Sequence, residues 1–175
     1  PVSARAQEKV VYRVEYSSER PGRIHVAIVA PEPMTSAVIL IIPRAIPSGY
    51  DQQFYDRYVE NVKATSSGGA AAKVEREDGP RWRVGDREVV RVEYDIDLTK
   101  LEREITSASD SSKARADYVG LLGYSILGYL EGFENLPIRL EIRGPQGWPV
   151  FTTLAPKTPL DRARATAEAK NFYEL

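Results

Sequence analysis

Two neighbouring stretches decide the fold of this chain: VVYRVEY at residues 10–16 and IHVAIV at residues 24–29. In both, apolar side chains recur at every second position, which is the period of a β-strand that buries one face. Pro21-Gly22 lies between them and has the chemistry of a turn, so the two stretches are predicted to pair as an antiparallel hairpin. Pro31 and Pro33 have no N–H to donate to a sheet and are expected to end the second strand.

Strand patterning continues through most of the remaining sequence. A continuous apolar run at residues 37–42 is typical of a strand that lies centrally in a sheet. One stretch has helical spacing instead, because the apolar residues at 54, 58, 59 and 62, with Asp51 as a candidate N-cap, predict a short amphipathic helix. Further strands are predicted at residues 71–75, 82–84, 90–96, 136–142 and 148–154.

Two segments do not fit this alternation. Residues 98–105 fit either a strand or a helical turn, and the Ser-rich residues 107–113 are expected to form a mobile surface loop. Many short strands with one or two short helices predict a mainly β fold, an antiparallel β-sandwich or an open barrel.

The chain is expected to be one domain with a short segment at each end. Its 175 residues fit a single core, and no internal repeat divides them. We assign residues 8–156 to the β-rich domain and 1–7 to a tail, where Ala4-Arg5-Ala6 matches either the small-x-small end of a secretory signal or an ordinary polar terminus. Residues 157–175 are assigned to a connector, because they are Ala-rich and contain good helix formers, which is compatible with a helix that has no partner surface.

Composition excludes several classes of function. Lys and Arg total 24 against 25 Asp and Glu, for a net charge of −1, which gives no general attraction to nucleic acid or an anionic membrane. The chain has no cysteine and a single histidine, His25, so it cannot supply a thiol nucleophile or a two-histidine zinc site. No apolar run reaches the roughly 20 residues needed to span a bilayer. The sequence therefore assigns this chain no catalytic and no metal-binding residue.

The remaining candidates for chemistry lie on predicted strands. His25 is the one available base, but no Gly-x-Ser-x-Gly motif occurs, and a solvent-facing strand histidine is the favoured interpretation. Glu93, Asp95 and Asp97 could in principle form the carboxylate pair of a glycoside hydrolase. Their spacing is also that of the ordinary wet face of a sheet, which is the interpretation we favour.

Two tryptophans could form a binding platform. Trp82 lies between Arg81 and Arg83, an arrangement that could stack on bases or sugars. Trp82 and Trp148 are nevertheless more typical of rings packed at the edge of a core, with the arginines extending beside them.

The order of these features resembles the N-terminal domain of the glycyl-aminopeptidase family of zinc metallopeptidases, whose members often carry a C-terminal PDZ domain. The resemblance covers nearly the whole chain: an opening strand pair, an Ile-Ile-Pro strand that enters a Pro47-Ser48-Gly49-Tyr50 loop, a turn with Trp82, a Val-x-Val-x-Tyr strand, and a Gly-Pro-x-Gly-Trp turn. The chain departs from the family at Ala45, near which a tryptophan is usual, and in the order Pro-Ser-Gly-Tyr instead of Pro-Gly-Ser-Tyr.

The resemblance implies a non-catalytic, saddle-shaped domain of a periplasmic or secreted zinc aminopeptidase. Its catalytic zinc would be held by an H-E-x-x-H helix in a downstream catalytic domain, and the domain would pack on that partner and help to wall the cleft for the peptide substrate. Arg44, Tyr50 and Tyr55, in the stiff loop and the predicted helix after it, are our candidates for this contact. The alternatives are a free-standing β-sandwich that binds carbohydrate or protein through Trp82 or Trp148, and a carboxylate-based hydrolase.

Overall fold

The protein is described by a computed structural model over residues 9–45, 52–85, 88–107, 109–154 and 163–175. Its fold is mainly β, as predicted. In chain order the strands are β1 Val10–Tyr16, β2 Arg23–Met34, β3 Val38–Ile41, β4 Val59–Ser66, β5 Ala71–Ala72, β6 Val74–Arg76, β7 Arg81–Val84, β8 Val89–Asp97, β9 Lys113–Ala114, β10 Val119–Gly120, β11 Tyr129–Leu130, β12 Ile138–Arg143 and β13 Arg164–Ala169. The helices are α1 Leu98–Glu104 and α2 Gly123–Ile126, with 3₁₀ turns at Tyr55–Tyr58 and Phe172–Glu174.

The strands form a large sheet of seven, in the order β13-β12-β1-β2-β8-β4-β5, and a smaller sheet of four, in the order β11-β3-β7-β6; β9 and β10 pair with each other separately. The predicted hairpin is confirmed: β1 and β2 are antiparallel, with Val14 opposite Val26. Within the large sheet β1 and β12 are parallel neighbours, and the other pairs are antiparallel. The apolar run at 37–42 lies centrally, as predicted, because β3 is flanked by β11 and β7.

The core lies between the two sheets. Inward side chains of β1, β2 and β8 form one buried cluster with those of β3 and β7, so strand alternation in the sequence is matched by burial in the structure. The 3₁₀ turn at Tyr55–Tyr58 and helix α1 cover the same cluster. The segment 98–105, for which a strand or a helical turn was predicted, is therefore helical up to Glu104. Asp97 caps α1 by accepting a hydrogen bond from the N–H of Lys100 at 2.9 Å.

The predicted amphipathic helix at residues 54–62 is wrong. Only the 3₁₀ turn at Tyr55–Tyr58 is helical, while Val59 and Val62 belong to β4, which pairs with β8. The register shifts between Glu60 and Lys63, and Asn61 has a positive φ of 54°. This bulge interrupts the period of two, so that a strand presents apolar residues at helix-like spacing. Asp51 lies outside the described residues.

The predictions for the C-terminal part also need correction. Residues 148–154 are not a strand, apart from a single bridge at Pro149. The last strand is β13, within the segment for which a helix was considered, and its alternate alanines 165, 167 and 169 are buried against β12. The assignment of residues 157–175 as a connector to a further domain stays a prediction.

Two smaller expectations, the end of β2 at the prolines and the mobile Ser-rich loop, are also wrong. Strand β2 continues past Pro31 and Pro33 to Met34, because a register shift between Val29 and Met34 takes both prolines out of regular pairing with β8. In the Ser-rich segment 107–113, Ser111 and Ser112 are buried. The Ser112 hydroxyl lies 2.6 Å from that of Ser125 and accepts a bond from the N–H of Leu122, so this part of the segment is anchored to the core.

Candidate functional site

The predicted contact residues have different surroundings. Arg44 follows β3 and is partly exposed, next to Ala45, which forms an isolated bridge with Gln52. Tyr50 lies outside the described residues. Tyr55 is fully buried: its hydroxyl donates to the carbonyl of Asp110 at 2.8 Å, and its ring centroid is 6.1 Å from that of Tyr124. Burial raises the pKa of Tyr55 above its usual range. Tyr55 therefore supports the domain's own core and has no free surface to offer a neighbour.

Arg44 belongs to an internal ion pair that the sequence did not reveal. Its guanidinium donates to both carboxylate oxygens of Asp56, Nε to Oδ1 at 2.8 Å and Nη2 to Oδ2 at 3.0 Å. Arg76 adds a bond to Oδ2 at 3.1 Å. Asp56 is only 1% exposed, and burial alone would raise its pKa, but the bonds and charges of the two arginines outweigh burial and lower it. No spacing motif links positions 44, 56 and 76, so only the fold brings them together.

A different surface has the character of a docking site. An apolar groove of about 430 Å³ is lined by residues of β1 and β12, by parts of the segment 117–127 and by the segment that follows β12. Its walls include Leu121, Ile142 and Leu154. At its rim, the side chains of Phe151 and Tyr118 are 78% and 47% exposed, which is unusual for aromatic rings of a domain in water.

The floor of this groove is built by the turn after β12. There Trp148 packs its ring on Tyr16, with ring centroids 5.8 Å apart. The carbonyl of Trp148 accepts a 2.7 Å bond from the N–H of Ala163, which fixes the turn beside β13. Leu175 contributes to the opposite wall beside Gly123, where a Cβ would lie 2.8 Å from the Leu175 carbonyl oxygen. The sequence predicted Trp148 as a packed ring, but nothing in the hydrophobic pattern indicated that Phe151 and Tyr118 would be exposed.

His25 lies on the outer face of the large sheet in a network of charged side chains. Its Nδ1 is 3.0 Å from Oδ1 of Asp95, and Oδ2 of Asp95 accepts bonds from Arg20 at 2.6 Å and from Asn61 at 3.0 Å. Asp95 is buried, so the prediction of an ordinary wet face is wrong at this position. Burial alone would raise the pKa of Asp95, but the bonds from Arg20, Asn61 and His25 outweigh it and lower the pKa to about 2.

The hydrogen bonds of this network connect secondary-structure elements to one another. The hydrogen bonds of His25 and Asp95 lead to Arg20, in the turn between β1 and β2, and to Asn61 in the β4 bulge, so they tie three elements to one carboxylate. Over the described residues, no group of three or more His, Asp or Glu side chains is arranged to hold a metal ion. Likewise, no helix there is long and apolar enough to cross a membrane.

The tryptophans do not form an open platform. Trp82 is buried between the sheets, and the guanidinium of Arg76 lies 4.9 Å from its ring centroid. The prediction that Trp82 is a core ring is confirmed, but the arginine stacked on it is Arg76 rather than Arg81 or Arg83. Trp148 is half-buried under the groove. A sugar-binding face made by Trp82 is therefore excluded.

A solved structure shares this architecture. The chain superposes on an aminopeptidase N family protein from Idiomarina loihiensis with a TM-score of 0.82 and 19% identity, over 95% of this chain and 28% of that one. Against a yeast LTA4 hydrolase the TM-score is 0.43 at 12% identity, over 93% of this chain and 26% of that one, a likeness too low to define a shared fold. The chain thus has the fold of one part of a larger aminopeptidase N family protein and spans about a quarter of its length.

The sequence itself defines the family. The profile of the peptidase M61 N-terminal domain matches residues 11–175, and the chain belongs to this family. No curated protein matches the chain. The resemblance to a peptidase N-terminal domain is confirmed at this level.

Proposed function

We propose that this chain is the non-catalytic N-terminal domain of a zinc aminopeptidase, which packs on a catalytic domain of the same polypeptide and helps to wall its peptide cleft. Membership of the peptidase M61 N-terminal domain family supports this proposal. The single observation that carries it is the apolar groove, with Phe151 and Tyr118 exposed at its rim.

The groove has the chemistry of a surface that a protein partner covers. Burying a phenylalanine side chain contributes about 1.5–3 kcal/mol, so leaving Phe151 in water forgoes a stabilisation that a docked domain would recover. A modest apolar contact is enough to hold two permanently linked domains together, because the linkage removes most of the entropy cost of association.

The position of Leu175 favours the catalytic domain as the occupant. Leu175 lines the groove, so a polypeptide that continues beyond it starts beside Phe151 and Tyr118. A domain joined there needs no long linker to reach this surface. Arg44 remains a second proposed contact, since its side chain keeps an exposed part beside the ion pair with Asp56.

The resemblance extends the proposal to finer points. They are the activity of a glycyl-aminopeptidase, a PDZ domain further along the polypeptide, and a periplasmic or secreted location. Zinc would be held by an H-E-x-x-H helix in the catalytic domain, where it would activate water for peptide hydrolysis.

The proposal is tested by comparing the complete gene product with residues 1–175 alone. Both are purified, their zinc content is measured by mass spectrometry, and hydrolysis of aminoacyl p-nitroanilides is followed. We expect stoichiometric zinc and hydrolysis in the complete product and neither in the 175-residue chain. Zinc bound tightly by residues 1–175, hydrolysis by them, or a gene product without an H-E-x-x-H motif would overturn the proposal and favour a free-standing binding module or a hydrolase.

A further inference from the structure

Two arginines bind one buried carboxylate, and a third lies on a neighbouring aromatic ring, at a site whose residues do not line the apolar groove. Arg44 and Arg76 bind Asp56, while Arg57, in the same 3₁₀ turn as Asp56, lies over the ring of Phe54, and we call these three residues the arginine cluster. Asp56 is buried and neutralises one positive charge, so the three arginines and Asp56 together carry a net charge of +2. Such a local excess stands out on a chain whose net charge is −1.

The three guanidinium groups are held in place before any ligand arrives. Arg44 is fixed by two hydrogen bonds to Asp56, and its guanidinium carbon is 4.5 Å from the ring centroid of Phe54. Arg57 stacks on the same ring at 4.5 Å. Arg76 is fixed between Asp56 and Trp82. Stacking on an aromatic ring restricts an arginine without using its N–H groups, so the side chains lose little further entropy on binding.

Most of the donors of the cluster are unused. Each guanidinium carries five N–H donors, and Asp56 accepts only three bonds in total from Arg44 and Arg76. Arg57 is exposed and forms no ion pair with any residue in the described ranges. The carboxylate of Asp56 is buried and already occupied, so within the described residues it has no further bond to offer to an approaching group.

We propose that the arginine cluster binds side-chain carboxylates of an acidic peptide segment. The planar fork of a guanidinium matches a carboxylate, and two adjacent forks favour a segment with more than one acidic residue. Phe54 is 38% exposed between these charges and provides an apolar surface for the neighbouring parts of such a segment. This inference concerns a different surface from the groove; it shares Arg44 with the second domain contact proposed above, but its test uses Arg57 and does not depend on that contact.

The test uses the 175-residue chain and blocked pentapeptides. One peptide carries two glutamates, a second carries two glutamines, and a third is the glutamine peptide with a free C-terminal carboxylate. Binding is followed by the Nε–Hε NMR resonance of Arg57, assigned by its loss in Arg57→Gln. We expect a saturable shift with the glutamate peptide and binding about fivefold weaker or worse with the other two, since they lack the charge-assisted bonds. Added NaCl at about 0.5 M should weaken the glutamate peptide's binding.

Arg57→Gln and Arg139→Gln form a matched pair of variants. Arg139 is also an exposed arginine, on β12, paired with Glu141 outside the arginine cluster. We expect Arg57→Gln to weaken the glutamate peptide about fivefold and Arg139→Gln to leave it unchanged. The inference is overturned if the glutamine peptide binds as well, if only the free C-terminus binds, if no peptide shifts the Arg57 resonance, or if both variants weaken binding equally. If Arg57→Gln unfolds, the resonance is assigned by its loss in Arg57→Lys, and the wild-type titration then decides the question.

Discussion

The hydroxyl of Tyr12 donates a 2.9 Å hydrogen bond to the carbonyl of Gly128, so a phenol of the large sheet bonds to backbone beside the small sheet. The same glycine donates its N–H to the hydroxyl of Tyr94 at 2.8 Å, and Tyr94 in turn donates to the carbonyl of Ile126 at 3.0 Å. Burial raises the pKa of Tyr12 well above its usual value, so the phenol keeps its proton and remains a donor. The two sheets are thus joined by directed bonds inside an otherwise apolar core.

Replacing Tyr94 by phenylalanine should destabilise the domain. The change leaves the N–H of Gly128 and the carbonyl of Ile126 buried without their partner, which costs about 1–3 kcal/mol of unfolding free energy. Urea denaturation followed by circular dichroism measures this loss. Tyr173→Phe is the matched control, because Tyr173 is 73% exposed, and it should leave the midpoint unchanged. Equal midpoints for the two variants would contradict the role given to Tyr94.

Gly128 should not tolerate a side chain. A Cβ added there would lie 2.5 Å from Cδ1 of Ile42 and 2.7 Å from the backbone oxygen of Ile41, and the backbone cannot easily move. We expect Gly128→Ala to lower the unfolding free energy by about 1–3 kcal/mol, as overpacking does in other cores. Gly144→Ala has open space around the new methyl group and should be nearly neutral when both variants are measured by urea denaturation.

The Asp95 network predicts a specific acid sensitivity. The pKa of Asp95 is lowered from 3.8 to about 2, so its bonds stabilise the fold above pH 3.8, and this contribution is lost as the pH falls through about 2. Arg20 is half-exposed, so after allowance for solvent screening we expect a contribution of about 1–2 kcal/mol at neutral pH.

The variant Asp95→Asn separates this effect from general acid unfolding. Wild type should be more stable than Asp95→Asn at pH 7, and the difference should shrink between pH 4 and 2 in urea denaturation series. Asp78→Asn, at an exposed carboxylate, should parallel wild type throughout. A constant difference between wild type and Asp95→Asn over this pH range would show that the charge of Asp95 is not what stabilises the fold.

The hairpin and the central strand were predictable because their signals are local. The alternation at 10–16 and the apolar run at 37–42 are properties of neighbouring residues, and the sheets use them directly. The bulge at Asn61 was not predictable, since an interrupted strand and a short helix place apolar residues at similar spacings. In β13 the alternate alanines are compatible with a strand, but alanine is also a good helix former. The pairing with β12, which the local sequence does not show, decides for the strand.

The candidate sites were less predictable than the fold. Arg44 was selected as a surface residue, yet its main partner, Asp56, is a buried carboxylate 12 positions away. Whether Tyr118 and Phe151 contact the core or water depends on how the strands and segments around them are assembled. Exposure of this kind is a property of the assembled sheets, and no single-sequence pattern encodes it.

Phe151→Ser should affect the complete gene product and spare the isolated domain. Because Phe151 is largely exposed here, its replacement should leave the urea midpoint of residues 1–175 unchanged. In the complete product the same change removes an apolar contact of about 1.5–3 kcal/mol, so aminopeptidase activity should become more sensitive to heat and urea. Phe133→Ser, at a half-buried ring outside the groove, should instead destabilise the isolated domain.

Amide hydrogen exchange tests the proposed docking surface most directly. Exchange is compared by mass spectrometry between residues 1–175 alone and the same residues within the complete gene product. We predict slower exchange in the complete product at residues 118–123 and 148–154, with the outer strand β13 unchanged, and loss of that protection in Phe151→Ser. Equal exchange of these two segments in both proteins would contradict the account, because the groove would then be open to water in the molecule that it is proposed to hold together.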